Sequence, residues 1–156
     1  MNSCTSTPGA PAPPDRLGRM LCFAIYSAGH AFTRAYKPLL DPLGLTYPQY
    51  LVLLVLWDGD DLTVKEIGRR LFLDSGTLTP LLKRLQAAGL VRRTRDPRDE
   101  RQVRVRLTER GRALEAEAAP IMAQLVCTLD RPVPQLLALT DEIGQIRTAL
   151  HESAGS

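Results

Sequence analysis

The stretch "GRMLCFAIYS" sets Cys22 among apolar residues, four positions before Tyr26. A cysteine placed this way is either a small core residue or a nucleophile, because the thiolate and not the thiol attacks oxidants and disulfides. On a helix of about 100° per residue, Tyr26, Gly29, Thr33 and Tyr36 all fall within about 40° of Cys22, so sulfur and hydroxyls share a face. Tyr36 nevertheless lies 14 residues on, about 21 Å along the axis, and cannot touch Cys22 of its own straight helix. If that tyrosine acts on the sulfur, the site is most simply built across a dimer interface, where an antiparallel second copy of the helix brings its Tyr36 beside Cys22.

The chain has 3 cysteines, too few for a disulfide framework. Cys127 is either a core residue or a second thiol, and Cys4 has no assignable partner. His30 and His151 lack metal-ligand spacing with any cysteine, so neither a metal nor another cofactor is implied.

Positioning such residues takes a scaffold, and 156 residues suffice for one ordinary domain with a real core. Apolar residues make up 44% and charged residues 24%, a globular balance, and no apolar run approaches the roughly 18 residues of a membrane span. The opening "MNSCTSTPGAPAPPD" has neither a positive start nor an apolar centre. It reads as a disordered, Pro-rich tail over residues 1–14 and not as a signal peptide, which makes a reducing, cytoplasmic setting the expectation.

The formal charge of +3 hides an asymmetry: Lys65 to Arg112 holds 14 Lys/Arg against 6 Asp/Glu, leaving 6 against 11 for the remainder. So concentrated a positive field suits nucleic acid. Within it, "LTVKEIGRRLFLDSGTLTPLLKRLQAAGLVRR" reads as two short helices and a tight turn. Thr63 and Glu66 form a capping box for a helix ending near Leu71. Ser75 is expected to cap a second helix ending near Ala88, with Leu78, Leu81, Leu82 and Leu85 inward and Gly89 as its stop. That helix presents Ser75, Gly76, Thr77, Thr79, Lys83 and Arg84 on its polar face. Small residues and cations of this kind let a recognition helix approach bases and phosphates.

"LVRRTRDPRDERQVRVRLT" follows as a β-hairpin, a wing over residues 91–107 whose tip offers Arg98 and Arg101 to the minor groove. Asp99 is expected to accept hydrogen bonds from the Arg101 guanidinium and hold it extended. "DRLGRMLCFAIYSAGHAFTRAY", "YPQYLVLLVLW", the segment from Thr108 through "ALEAEAAPIMAQLVC", bent near Pro120, and Val133 to His151 read as helices. The fold class is therefore mainly α with a small β-hairpin wing: a winged helix-turn-helix (46–112) between terminal helices (15–45 and 113–156), in one domain over residues 15–156. Those terminal helices carry more apolar surface than so small a module buries alone, which points to a homodimer.

The helix order, the wing "DPRDERQVRV" and the closing "LTERG" resemble the MarR-type winged-helix regulators from about Leu17 onward. "LCFAIYSA", "TRAYKPLLDPLGLTYPQYLVLLVLW" and "LFLDSGTLTPLLKRL" further resemble their organic hydroperoxide resistance branch. The resemblance implies a homodimeric repressor that binds a palindromic operator in double-stranded DNA when reduced and releases it when oxidised. It implies that Cys22 is the peroxide-reactive cysteine, that Tyr36 and Tyr47 hydrogen-bond its sulfur, that Asp99 and Arg101 are the wing-tip pair, and that Cys127 is the resolving cysteine of a two-cysteine subgroup.

The chemistry agrees. An ordinary thiol, with a pKa of about 8.5, is mostly protonated at neutral pH, and apolar surroundings raise it further, so hydroxyl donors have to favour the anion. Tyr47, between Thr46 and Pro48 at a helix start, is such a donor. Phe23, Ile25, Tyr26 and Phe32 would wall a pocket suited to an organic hydroperoxide. Two other classes stay open: a repressor that senses a small aromatic or phenolic ligand in a dimer cleft, and a thiol peroxidase. The second is the weaker, since there is no Cys-x-x-Cys motif or separate substrate domain, and the chain is expected not to be an enzyme.

Overall fold

The computed structural model describes residues 16–154; the tail and Cys4 lie outside the described residues. In chain order the elements are α1 (Leu21–Leu40), α2 (Tyr47–Asp58), β1 (Leu62–Thr63), α3 (Val64–Leu71), α4 (Ser75–Ala87), β2 (Val91–Arg95), β3 (Val103–Leu107), α5 (Glu109–Thr128) and α6 (Val133–Ala154). The chain divides into two compact units, Met1–Ala35 and Tyr36–Ser156.

In the first unit a 3-10 turn at Leu17–Arg19 ends at an extended Met20, so α1 starts six residues later than the amphipathic pattern from Asp15 suggests. It also continues past Tyr36, through Pro38, to Leu40. A proline this close to a helix end removes only one of the last hydrogen bonds, which is why the helix survives it.

The second unit is built around α2. Its run "YPQYLVLLVLW" is apolar on every side, the pattern of a helix surrounded by protein, and Tyr50, Val52, Leu53 and Leu56 are fully buried or nearly so. Ile67 of α3, Leu78, Leu82 and Leu85 of α4, Val105 of β3 and Ile121 and Leu125 of α5 complete the core. Each such aliphatic side chain contributes roughly 1.5–3 kcal/mol on burial. Thr46 with Gln49 and Thr63 with Glu66 form capping boxes at α2 and α3, fixing where both helices start.

Between α3 and α4 the backbone turns sharply at Phe72, which is left-handed (φ 56°), and Leu73 N–H donates to Gly68 O at 2.9 Å. A Cβ on Gly68 would stand 2.6 Å from Leu73 O, so this close approach needs glycine. The N-cap of α4 is Asp74 and not Ser75 as expected: its carboxylate accepts from Thr77 N–H at 2.8 Å. Both residue types cap well, and only the backbone conformation, extended at Asp74 and helical from Ser75, decides between them.

β2 and β3 pair antiparallel, Val91 opposite Leu107 and Arg95 opposite Val103. The two-residue β1 adds a third strand to β3, too short for periodicity to reveal. Thr108 caps α5, and its hydroxyl also reaches Gly89 O at 2.6 Å, tying helix to hairpin. α5 passes through Pro120 as one helix. No single helix among the described residues is long and apolar enough to cross a membrane.

Candidate nucleic-acid interface and redox centre

Ser75, Gly76 and Thr77 are exposed in the first turn of α4, and Lys83 and Arg84 are exposed further along it. Thr79 is half-buried, with its hydroxyl donating to Ser75 O at 2.6 Å. The Thr77 hydroxyl is engaged by Asp74 at 3.1 Å, and Thr77's N–H and hydroxyl together hold the Asp74 carboxyl below the usual carboxylate range. A cleft of about 560 Å³ separates α4 from the wing, and Ser75, Thr79 and Arg101 line it together with Lys65, Arg93 and Gln102. α4 and the wing tip thus meet at one opening. Lys83, Arg84 and Arg98 stand outside its lining.

The wing tip is organised differently from expectation. Asp99 does not hold the Arg101 guanidinium; its carboxylate accepts from the Arg101 backbone N–H at 3.1 Å and from Gln102 Nε2 at 3.0 Å. The two-residue spacing explains this, because an aspartate naturally closes a turn on the N–H two positions ahead. Asp99 therefore shapes the loop and leaves the Arg101 side chain exposed. Asp96 does the same to Arg98, accepting from its N–H at 2.8 Å.

The root of the wing is fastened by residues that the sequence reading left out. Arg104 donates from Nε to Asp61 Oδ1 at 2.7 Å, from Nη1 to Asp96 Oδ2 at 3.0 Å and from Nη2 to the Asp61 carbonyl. Arg106 also binds Asp61, at 2.8 Å, and Arg112 binds Asp60 at 2.7 Å. Hydrogen bonds from Arg106 and then Arg104 hold the Asp61 carboxyl well below its usual range; the Arg98 N–H and then Arg104 lower that of Asp96. The available signal was "DGDD", an acidic run just ahead of the basic segment, which spends part of its charge on the fold.

Cys22 and Cys127 are both free and exposed, and they belong to different units. Phe23, Ile25 and Tyr26 beside Cys22 are exposed too, Tyr26 at 64%, while Phe32 is half-buried. The expected shelter for the thiol is thus not found among the described residues of the first unit, where Cys22, Phe23, Ile25 and Tyr26 of α1 stand exposed. The tyrosines do come together: Tyr36 stacks on Tyr47 with ring centroids 4.4 Å apart. Tyr50, which sequence reasoning missed although it lies one helical turn beyond Tyr47, joins them at 5.8 Å. Burial, then Tyr47 and Tyr50, push the Tyr36 hydroxyl up to about 12, and burial raises that of Tyr47. Both stay protonated, hence donors, throughout the physiological range. Cys127 borders a recess with Asp130, Arg131 and Pro132 at the α5–α6 junction.

Residues 34–117 match the family model of the transcriptional regulators SarA/Rot. The chain is 54% identical to the HTH-type transcriptional regulator TtmR of Methylorubrum extorquens (strain PA1), over 92% of this chain and 73% of that one. It is 43% identical to the organic hydroperoxide resistance transcriptional regulator of Bacillus subtilis (strain 168), over 88% and 93%. Among solved structures, AbfR of Staphylococcus epidermidis is similar both in its reduced form bound to DNA (TM-score 0.74, 36% identity, 86% of this chain and 94% of that one) and with its disulfide formed (TM-score 0.63, 39%, 86% and 92%).

Proposed function

We propose that this chain, which belongs to the SarA/Rot family of MarR-type winged-helix transcriptional regulators and to their organic hydroperoxide resistance branch, is a homodimeric repressor that releases its operator when Cys22 is oxidised. The observation that carries the reading is an exposed thiol in an exposed apolar patch, Cys22 with Phe23, Ile25 and Tyr26, on the helix that also bears the stacked Tyr36. An exposed apolar face of this kind calls for a partner surface. A second copy covers it, together with the exposed Val133, Leu137, Leu139, Ile143 and Leu150 of α6, and shelters the thiol between subunits. Tyr36 and Tyr47 then donate to the thiolate.

The thiolate attacks one peroxide oxygen, the O–O bond breaks, and the alkoxide leaves as the alcohol after taking a proton. Cys22 becomes a sulfenic acid, oxidised by two electrons while the peroxide is reduced. The Cys127 thiol attacks that sulfur, forming the disulfide and expelling water. A disulfide requires Cα atoms within about 7 Å, so forming it draws the helices that carry the two thiols. Recognition helices must stay about 34–36 Å apart to fill two half-sites, and a small rotation ends the fit. That AbfR has been solved both reduced on DNA and with its disulfide formed supports assigning the same couple here. On the DNA side Ser75, Gly76, Thr77, Thr79, Lys83 and Arg84 meet the major groove, and Arg98 and Arg101 the minor groove.

The test is operator release against cumene hydroperoxide for wild type, Cys22→Ser and Cys127→Ser. Wild type should release, Cys22→Ser should stay bound, and Cys127→Ser should be oxidised without forming a cross-link. Release from Cys22→Ser equal to wild type overturns the reading. On a non-reducing gel, oxidised wild type should run as a dimer; monomer mobility would sink the intersubunit bridge.

A further inference from the structure

The hairpin has two faces, and only one of them turns toward the recognition helix. On that inner face Arg93 binds Gln86 of α4 at 2.7 Å and lines the cleft with Arg101. On the outer face Arg92 stands directly opposite Arg106 across the two strands. Like charges in that position cost folding stability. Arg106 is offset by Asp61; Arg92 is exposed and has no ion-pair partner among the described residues. A groove of about 540 Å³ runs past both, lined also by Thr94, Arg110 and Arg112, with Glu109 its one acidic side chain. Arg112 is 58% exposed despite its bond to Asp60, and Arg110 uses one nitrogen on Ala88 O at 3.1 Å. Arg92 is thus a cation the fold does not use, set in one groove with three further guanidinium groups, and a local rule broken without structural gain marks a place where something outside the chain supplies the compensation.

We propose that this outer face is a second phosphate-binding surface, on which Arg92, Arg106, Arg110 and Arg112 take the backbone of the same DNA duplex beyond the point where the wing tip enters it. The inference rests on the DNA-binding reading above. A minor groove is only about 6 Å wide, so a wing inserted into it is flanked by one strand on each side. The inner face meets the strand toward α4, and the outer face meets the strand that runs on into flanking sequence. Contacts to that strand carry no base information, and they add affinity that depends on duplex length and on salt.

The experiment uses the reduced full-length protein and a duplex selected on it from a randomised pool. One probe is trimmed at the base pairs where the wing tip protects; the other keeps about 10 further base pairs, one helical turn, on each side. Wild type should bind the longer duplex about tenfold more tightly, with a salt slope steeper by about 0.9 for each added phosphate contact. Arg92→Gln with Arg110→Gln should lose that increment and keep wild-type affinity for the trimmed duplex, and Arg92→Lys should retain it. Arg92→Gln should melt no lower than wild type, since it relieves a like-charge pair. Equal wild-type affinity for both duplexes overturns the proposal, as does an equal loss on both in the double variant. A wild type that selects no duplex at all overturns the DNA-binding reading instead.

Discussion

Tyr36 and Tyr47 lie face to face, their ring centroids 4.4 Å apart and their planes 15° from parallel. Tyr36 is 6% exposed, and its hydroxyl is pushed up to about 12 by burial, then by Tyr47 and Tyr50. A group raised this way in the folded state contributes stability that is intact below its unfolded value of about 10 and lost as pH climbs from there toward 12. Denaturant unfolding between pH 8 and 12 should therefore show a steep loss of stability above pH 10, and Tyr36→Phe should flatten it. The same variant keeps the ring and removes the donor. Its Cys22 should react with cumene hydroperoxide about tenfold more slowly, the scale of one hydrogen bond to a charged acceptor. An unchanged oxidation rate would remove Tyr36 from the redox centre while leaving its place in the core.

The wing root makes a second, opposite prediction about pH. Arg106 and Arg104 hold the Asp61 carboxyl well below its usual range, and the Arg98 N–H with Arg104 lowers Asp96. Depressed carboxylates contribute stability above their unfolded value of about 3.9 and lose it as pH falls below that. Amide exchange across residues 96–102 should accelerate below about pH 4, and Asp96→Asn should already show that acceleration at pH 7. Because a loosened tip presents Arg98 and Arg101 less well, Asp96→Asn should weaken operator binding on the order of tenfold, as losing one or two phosphate contacts does. Tight binding by a variant with a demonstrably mobile tip would refute the link.

These two sites also mark how far the sequence could be read. Helix starts were legible wherever a side chain declares them, as Thr63 and Glu66 do for α3, and α2 was legible from its unbroken apolar run. The N-terminus of α4 was not, because Asp74 and Ser75 are adjacent and equally able caps, and only backbone conformation separates them. Leu62–Thr63 was illegible as a strand because two residues have no period. Asp99 and Arg101 looked like an ion pair, yet the i, i+2 spacing favours a bond to the backbone over one to a long side chain. Asp60 and Asp61 were missed because their partners lie more than 40 positions away. The tyrosine cluster was half-visible. Its hydroxyl chemistry can be read from residue type, but the stacking of Tyr36 on Tyr47 depends on the turn at residues 41–46 between α1 and α2.

Gly111 and Gly89 should respond to alanine very differently. A Cβ on Gly111 would stand 2.1 Å from Leu90 O, an oxygen already accepting from Thr108 N–H at 3.0 Å. Backbone must shift, and Trp57, whose indole N–H donates to Gly111 O at 2.9 Å, must shift with it. Gly111→Ala should cost about 2–4 kcal/mol, in the range of overpacked sites. Gly89 has φ +73°, and a Cβ there would meet only the Arg110 Nη1 at an ordinary 3.9 Å, so Gly89→Ala should cost only about 1 kcal/mol. Urea unfolding followed by Trp57 fluorescence gives both values, and the reverse order would refute the packing argument.

Phe72 poses a last question, of why a bulky residue occupies a left-handed position (φ 56°) that glycine or asparagine fills at less strain. It is 49% exposed, so core packing is not the reason. Its ring instead receives the Arg147 guanidinium 4.0 Å from the centroid and lies 5.2 Å from the His151 ring, both on α6. An exposed cation–π contact is worth about 0.5–1 kcal/mol, and the left-handed conformation costs about 1–2 kcal/mol for a residue with a side chain. The two nearly cancel, so Phe72→Gly should leave unfolding free energy almost unchanged or slightly raised. Protection of the α6 amides should fall all the same, because the contact that holds the helix against the turn between α3 and α4 is gone. Arg147→Gln should lower that protection equally without relieving the backbone, which makes it the slightly less stable of the two. Hydrogen exchange with urea unfolding on both variants decides the matter: a loss above about 2 kcal/mol in Phe72→Gly would make the ring a core element, and unaltered α6 protection would leave its strain without a purpose.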